Sequence, residues 1–176
     1  MDSPPVMTPP PLSRARLGWF LLLATVISFV IIGAAAMITH QPWVFPSLGP
    51  SAYLLFATPL AVTACPRNVF FGHLIASLAG VAGLLAFGMY GVAPNLHDVT
   101  WQRVGAVVVS VALTASVMTW LGVPHAPAAA TTLTVSLGLL STPLDLTVML
   151  AAVVLLIAVA WAINRVRGVS VPLYPH

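Results

Sequence analysis

Apolar residues run in long uninterrupted stretches along this chain, and polar residues gather in short clusters between them. A helix needs about 20 apolar residues to cross the hydrocarbon core of a bilayer. Four stretches are close to that length and are predicted to be long transmembrane helices: residues 17–38, 69–90, 104–121 and 146–163. The pattern predicts an all-α membrane protein.

Two further apolar stretches, residues 51–64 and 128–141, are too short to cross in the same way. As helices they would extend only about 20 Å, less than the thickness of the hydrocarbon core. Pro59 also interrupts the first of them. Each is predicted to be a half-helix or a re-entrant segment.

The order of long, short and long segments occurs twice. One constant shift along the chain places Pro46 on Pro124, Leu55 on Leu133, and the stretch 50–52 on the stretch 128–130. Transport folds are often built from such internal repeats. We therefore expect two duplicated halves, with repeats at about residues 17–90 and 104–163.

Composition strengthens the assignment to the membrane. Of 176 residues, 60% are hydrophobic and 5% are charged, which lies far outside the range of soluble domains. The basic residues are six arginines and form no stripe, so we expect lipid as a partner and no nucleic acid. Cys65 is the single cysteine, and the acids are Asp2, Asp98 and Asp145. This set offers no disulfide, carboxylate pair or metal cluster, which predicts a protein that is not an enzyme and needs no cofactor or metal.

The proline-rich residues 1–16 are predicted to be a disordered tail, residues 17–168 a transmembrane domain, and residues 169–176 a C-terminal tail. If the short segments are re-entrant, the chain crosses four times and Arg67 lies opposite the other five arginines. If they cross, there are six crossings and Arg103 is the one opposite. Either arrangement makes both termini cytoplasmic by the positive-inside rule, and we expect a bacterial inner membrane.

Each short segment starts at a proline-containing break. Proline is tolerated in the first turn of a helix, where the N–H groups have no partner within the helix. Inside a membrane such donors must face protein, water or an anion, and the helix dipole favours the anion. The predicted anion-binding residues of the breaks are Ser47, Gly49, Ser51, His125, Ala128 and Ala129. The alternative is a pair of interfacial loops that lead into short helices.

Polar residues near the first break add to this prediction. Arg67 carries a permanent charge that can bind a planar anion through two hydrogen bonds, although it can also anchor the helix at the interface. Asn68 can cap the following helix. His73 lies within the apolar stretch on the same helix face as Ser77 and is a candidate site residue, with an interhelical hydrogen bond as the alternative role.

Small and hydroxyl residues indicate how the helices pack. Gly72, Ala76 and Gly80 recur at every fourth position, a spacing that allows two helix backbones to approach closely. Ser110 and Thr114 are predicted to form a polar seam on their helix.

Four motifs resemble, in order, the signature regions of the HPP family of integral membrane proteins: FPSLGPSAYLLF (residues 45–56), PRNVFFGHLIASLAGV (66–81), PHAPAAATTL (124–133) and INRVRGVSVPLYP (163–175). The chain departs from the family where His-Pro-Pro becomes His125-Ala126-Pro127, and where Ala129 replaces a glycine.

The resemblance implies a protein with four transmembrane helices. Cyanobacterial and chloroplast members of the family are associated with nitrite transport. The function predicted is therefore transport of a small inorganic monoanion, with nitrite as the leading candidate. The alternative is a non-transporting structural or accessory subunit, whose short segments only pack against a partner. Transport requires the two breaks to converge near the membrane midplane beside a water-accessible polar cavity; breaks that lie apart in the interface would count against it. A bundle this small can need a second copy of the chain to enclose a pathway, so a homo-oligomer is a further expectation.

Overall fold

The computed structural model describes residues 12–174, and this part of the chain folds into six α-helices and one 3-10 turn. In chain order they are α1 (Arg14–Thr39), α2 (Leu48–Ala57), the 3-10 turn (Val62–Ala64), α3 (Pro66–Ala86), α4 (Trp101–Trp120), α5 (Ala128–Ser136) and α6 (Pro143–Val166). The prediction of an all-α membrane protein is confirmed. Residues 1–11 of the predicted tail and the terminal residues 175–176 lie outside the described part.

Helices α1, α3, α4 and α6 are the four that are long and apolar enough to cross a membrane. Each begins slightly before its predicted span because a local start signal precedes the apolar stretch. The Ser13 side chain accepts a hydrogen bond from the Arg16 N–H at the start of α1, and a threonine caps α4 in the same way. Thr142 and Asp145 form a reciprocal capping box at the start of α6. Helix α3 starts at a proline, which fits the first position of a helix.

Contacts between helix ends give the direction of each long helix. The start of α1 meets the end of α6, where the Arg167 guanidinium lies 4.4 Å from the Phe20 ring. The start of α3 lies at the same end of the bundle, since the Cys65 thiol donates a hydrogen bond to the Leu173 carbonyl. We call this end A and the opposite end B. Helices α3 and α4 are antiparallel, because Phe87 at the end of α3 packs at Gly105 near the start of α4.

The two short segments run between the ends, in opposite directions. The second half of α2 reaches end A, where the Asn164 side chain donates to the Leu55 carbonyl. Helix α5 runs towards end B, where its Ser136 carbonyl accepts from Arg103. The chain therefore traverses the bundle six times and not four. In this arrangement Arg103 is the arginine at end B, and the other five lie at end A.

The short helices begin at Leu48 and Ala128, and their first turns meet inside the bundle, where Thr131 Oγ1 lies 2.9 Å from Ser47 Oγ and Ser51 Oγ lies 3.0 Å from His125 Nε2. The separation along the chain between these two helix starts is larger than that between the starts of α3 and α6, at Pro66 and Pro143. The single shift predicted from the sequence, which pairs Pro46 with Pro124, places neither Leu48 on Ala128 nor Pro66 on Pro143. The order of long, short and long elements does recur. Duplication of the two halves stays a prediction.

The helices pack as two groups of three. One group is α1, α2 and α6, and the other is α3, α4 and α5, with α3 also contacting α6. The first group holds the larger apolar core, which includes Ile32, Phe56 and Leu156. The second group is held by close approach at α3, because a Cβ at Gly80 would lie 2.7 Å from the Val135 side chain. The predicted small-residue face of α3 therefore packs against α5.

Candidate functional site

Two buried histidines share one serine hydroxyl where the short helices meet. Ser51 Oγ, in the first turn of α2, lies 3.0 Å from His73 Nε2 and 3.0 Å from His125 Nε2. The two imidazole rings are 5.0 Å apart between centroids. His73 is in α3, about 10 Å along the helix from its start. His125 is in the break before α5. Three separate elements therefore meet at one hydroxyl group.

The outer nitrogen of each imidazole has its own partner. His73 Nδ1 lies 2.7 Å from Thr131 Oγ1, which lies 2.9 Å from Ser47 Oγ. His125 Nδ1 lies 2.8 Å from the carbonyl oxygen of Thr63, in the 3-10 turn. Ser51 Oγ also lies 2.8 Å from the Ser47 carbonyl. We call Ser47, Ser51, His73, His125 and Thr131 the serine–histidine cluster; all five are buried.

The glycine before His73 makes room for the cluster. A Cβ at Gly72 would lie 2.8 Å from His125 Cβ, closer than side-chain carbons normally approach. Proline at position 124 and the turn that follows it place His125 against this glycine. The sequence pattern Gly72-His73 therefore supplies both the histidine and the space for its partner.

Arg67 and Asn68 lie close to the cluster, but their side chains form hydrogen bonds outside it. The Arg67 guanidinium donates to the Asn68 side-chain oxygen, and the Asn68 amide donates to the Val62 carbonyl. Helix α3 begins at Pro66, so Asn68 is inside its first turn; the expectation that Asn68 caps the helix is wrong. The pair connects to the cluster only through the 3-10 turn, whose next carbonyl, that of Thr63, accepts from His125.

The remaining predicted residues do not supply free donors at the second break. The N–H groups of Ala128 and Ala129 donate to the carbonyls of His125 and Ala126, so the tight turn before α5 uses them. Gly49 is exposed on the first turn of α2. The dipole of α5 still points its positive end at the cluster, but an anion cannot bind these two N–H groups without displacing the turn.

Further buried hydroxyl groups, here called the hydroxyl line, lie on the end B side of the cluster. Thr132 Oγ1 lies 2.7 Å from Thr114 Oγ1 of α4, and Ser110 is buried one turn closer to end B. The predicted polar seam of Ser110 and Thr114 therefore faces α5 and α3. Nearer end B, Arg103 is only 3% exposed and donates to the carbonyls of Val92, Ala93 and Ser136.

Sequence reasoning missed Thr131 and Arg103. Thr131 occupies the place in α5 that Ser51 has in α2, at the fourth position of each helix, but the shift predicted from the sequence paired Ser51 with Ala129 instead. Arg103 follows a helix cap at Thr100, which is also what an exposed interfacial anchor would look like in the sequence.

Pockets approach the polar line from both ends. An open pocket of about 450 Å³ reaches His125 from the end of α4, lined by Thr63, Thr119 and Pro124 among others. At end B, a pocket of about 130 Å³ is lined by Asn95, Asp98, Thr100 and Arg103. Between them the cluster and the hydroxyl line are closed by their own side chains.

A family model described as "HPP, transmembrane region" matches residues 9–172, which is nearly the whole chain. The chain belongs to the HPP family. No curated protein and no solved structure matches it.

The histidine at the family's name-giving position is His125, and in this HPP-family protein it lies at the centre of the cluster. Ala126, where the family has proline, lines the pocket next to it. Within residues 12–174, no group of three His, Cys, Asp or Glu side chains is placed to hold a metal ion. What the cluster offers chemically is a set of hydroxyls and imidazoles that donate and accept protons at the positive ends of two helices.

Proposed function

We propose that this HPP-family protein transports a small inorganic monoanion across the membrane, with nitrite as the leading candidate. The observation that carries the proposal is the meeting of α2 and α5, start to start, around His73 and His125. Transport requires that the two breaks converge beside a polar cavity that water can enter; both breaks contact Ser51, and an open pocket of about 450 Å³ reaches His125.

The electrostatics at this point favour an anion. Each helix start carries a partial positive charge, and here two such starts face each other in a buried place. The acidic side chains of residues 12–174 are Asp98, in the exposed loop between α3 and α4, and Asp145, which caps α6 at end B. Neither balances the two helix starts, so a small anion would supply the missing negative charge.

The arrangement of the helices supports movement of that anion. Ser47 and Ser51 belong to the group of α1, α2 and α6. His73 and Thr131 belong to the group of α3, α4 and α5, and His125 lies in the turn that leads into α5. Transporters commonly bind their substrate between two units that rock against each other. Rocking at this contact would open the cluster first to the pocket at His125 and then to the hydroxyl line.

Within the proposal, each polar residue has a place along the route. Arg67 at end A attracts the anion, and Asn68 holds the guanidinium. The serine–histidine cluster binds it at the positive ends of α2 and α5; the Ala128 and Ala129 N–H groups keep their bonds in the turn before α5, and Gly49 is exposed. Thr132, Thr114 and Ser110 replace its water of hydration in turn, and Arg103 receives it at end B.

The proposal also names the membrane in which the protein lies and an internal duplication as the source of its two halves. Five of the six arginines lie at end A, which fits end A on the cytoplasmic side of a bacterial inner membrane. The opposed short helices, each in a segment between two long helices, fit an internal duplication of inverted halves. A homo-oligomer stays a prediction.

Purified protein in liposomes tests the function. Nitrite uptake into these vesicles should exceed uptake into protein-free vesicles, and His73→Ala or His125→Ala should lower it at least about tenfold, the loss expected when a buried charged group loses a hydrogen-bonding partner. His97→Ala, at an exposed histidine in the loop after α3, is the matched control. Competing nitrate, formate, chloride and bicarbonate would rank the anions.

Two results would count against the proposal. Uptake that both cluster variants leave unchanged would remove the cluster from the route. Vesicles that take up none of the tested anions would support the accessory-subunit alternative.

A further inference from the structure

The hydrogen bonds of the cluster can be assigned proton by proton. The Thr63 carbonyl can only accept, so His125 Nδ1 carries a hydrogen and, in the neutral ring, Nε2 has a lone pair. Ser51 has one hydroxyl hydrogen, which it can donate to the Ser47 carbonyl 2.8 Å away or to one of the two Nε2 atoms 3.0 Å away. Thr131 donates its hydroxyl hydrogen to Ser47 Oγ, so His73 Nδ1 donates to Thr131 and, in the neutral ring, His73 Nε2 also has a lone pair that faces Ser51.

The same geometry accepts one further proton without losing a hydrogen bond. If His125 is protonated at both nitrogens, its Nε2 donates to Ser51 Oγ, and the Ser51 hydroxyl turns to the Ser47 carbonyl 2.8 Å away. If His73 takes the proton instead, its Nε2 donates to Ser51 Oγ, while its Nδ1 still donates to Thr131 and Thr131 still donates to Ser47 Oγ, 2.9 Å away. Both protonated forms have acceptors already in place.

A second extra proton is disfavoured because it would place two imidazolium rings 5.0 Å apart between centroids. The cluster is therefore suited to hold one extra proton. The pocket of about 450 Å³ that reaches His125 gives that proton an entry from one side of the bundle.

The protein offers no negative charge to balance a protonated cluster within the described residues. The charged and titratable groups of the surrounding elements are engaged elsewhere or exposed. Tyr53 of α2 is exposed, Cys65 donates to the Leu173 carbonyl, Arg67 binds Asn68, Arg103 donates to carbonyls at end B, Asp145 caps the start of α6, and Arg165 stacks on Trp161. The counter-charge must come from a ligand.

We propose that the serine–histidine cluster takes up one proton together with each monoanion, which makes transport an electroneutral symport of one proton and one anion. The inference rests on the proposed function. Each partner stabilises the other: the anion neutralises the imidazolium and the two helix starts, and the proton supplies the charge that holds the anion. Such coupling is reciprocal, so acid strengthens anion binding and the anion strengthens proton binding.

Simultaneous measurement of both ions tests the coupling. Wild-type protein is reconstituted into liposomes that contain a pH-sensitive dye, and sodium nitrite is added outside, with protein-free vesicles as the background for nitrous acid that permeates lipid. We expect one proton to enter per nitrite, and a gradient of one pH unit to support about tenfold nitrite accumulation.

Variants at the shared hydroxyl link the coupling to the cluster. Ser51→Thr keeps a hydroxyl and should keep the ratio of one proton per anion, whereas Ser51→Ala should lower the ratio to below half. A purely structural role of Ser51 would lower both fluxes together and leave the ratio unchanged, which would overturn the role of this residue.

The wild-type result decides the proposal even if Ser51→Ala does not fold. Nitrite uptake without protons, seen as a net electrical current, would overturn the symport and leave anion transport standing. Absence of uptake above the protein-free background, for nitrite and for the competing anions, would overturn anion transport itself and the symport with it.

Discussion

Ser51 shows how much the position of one small residue can determine. A serine in a helix commonly bonds the carbonyl one turn earlier, and Ser51 is within reach of the Ser47 carbonyl in this way. Here its oxygen is also within hydrogen-bond distance of two imidazoles, each from a different segment of the chain. An alanine at this place would leave the helix intact but separate the two histidines chemically.

Thr131 completes the cluster on the His73 side, and its removal should cost stability. Thr131→Val keeps the shape of the side chain but leaves His73 Nδ1 and Ser47 Oγ without a buried partner, at a cost of about 1–3 kcal/mol. Thr131→Ser, which keeps the hydroxyl, should cost less than about 1 kcal/mol. Thermal unfolding of the purified protein in detergent measures both, and equal stability of the two variants would contradict the assigned hydrogen bonds.

Arg103 is predicted to be the arginine whose loss matters most for stability. Its guanidinium donates to three carbonyls, one of them at the end of α5, and Arg103→Leu would leave these acceptors unpaired inside the bundle. We expect a loss of about 2–4 kcal/mol in the free energy of unfolding. The matched control is Arg165→Leu at an exposed arginine that stacks on Trp161, where the change should stay below about 1 kcal/mol. A larger effect at Arg165 than at Arg103 would count against a buried role for Arg103.

Among the elements, the contact between α3 and the break before α5 controls the site most directly. Gly72→Ala would push a methyl group against His125 and displace its ring from Ser51. We expect nitrite uptake to fall at least about tenfold and stability to fall by about 1–3 kcal/mol, the usual cost of overpacking. Gly33→Ala in α1 is the control, because a Cβ there meets nothing within 4 Å. Uptake that survives Gly72→Ala would show that the His125 position is not critical.

The sequence predicts where the helices lie along the chain, but it predicts few of the contacts between them. Hydropathy located the four long helices and both short ones, because the length of an apolar run limits what it can cross. The proline-containing breaks made Ser47, Ser51 and His125 candidates, and its apolar surroundings made His73 one. The structure places these four together. Arg67, Asn68 and Gly49, also candidates, make their contacts outside the cluster. Thr131, the Thr63 carbonyl and Arg103 were missed because their roles come from residues distant in the chain, which a pattern of single positions does not contain.

The direction of the short segments could not be read from charge, since four and six crossings distribute the arginines equally well. In the structure the decision rests on contacts that bring α2 to end A, such as Asn164 to Leu55, and α5 to end B, such as Arg103 to Ser136. These contacts link residues that are 109 and 33 positions apart.

At the scale of the whole molecule, six traverses predict on which side each loop lies. In a Cys65→Ser background, a cysteine introduced at exposed Leu96, in the loop between α3 and α4, should react with a membrane-impermeant maleimide from outside intact cells. A cysteine at exposed Ser170, after α6, should react only after permeabilisation. Labelling of both positions from the same side would favour four crossings and contradict the arrangement described.

The closed part of the route is thin, and this has an electrical consequence. One pocket reaches His125 and the other reaches Arg103, so the closed section includes the cluster and runs from His125 to the end of α5 at Ser136, about 16 Å at the rise of a helix compared with about 30 Å of hydrocarbon. A membrane voltage of about 100 mV is worth about 2.3 kcal/mol per unit charge. With water in both pockets, most of that voltage would fall across this closed section, so a bare ion at Thr132 would feel about twice the field in the surrounding lipid.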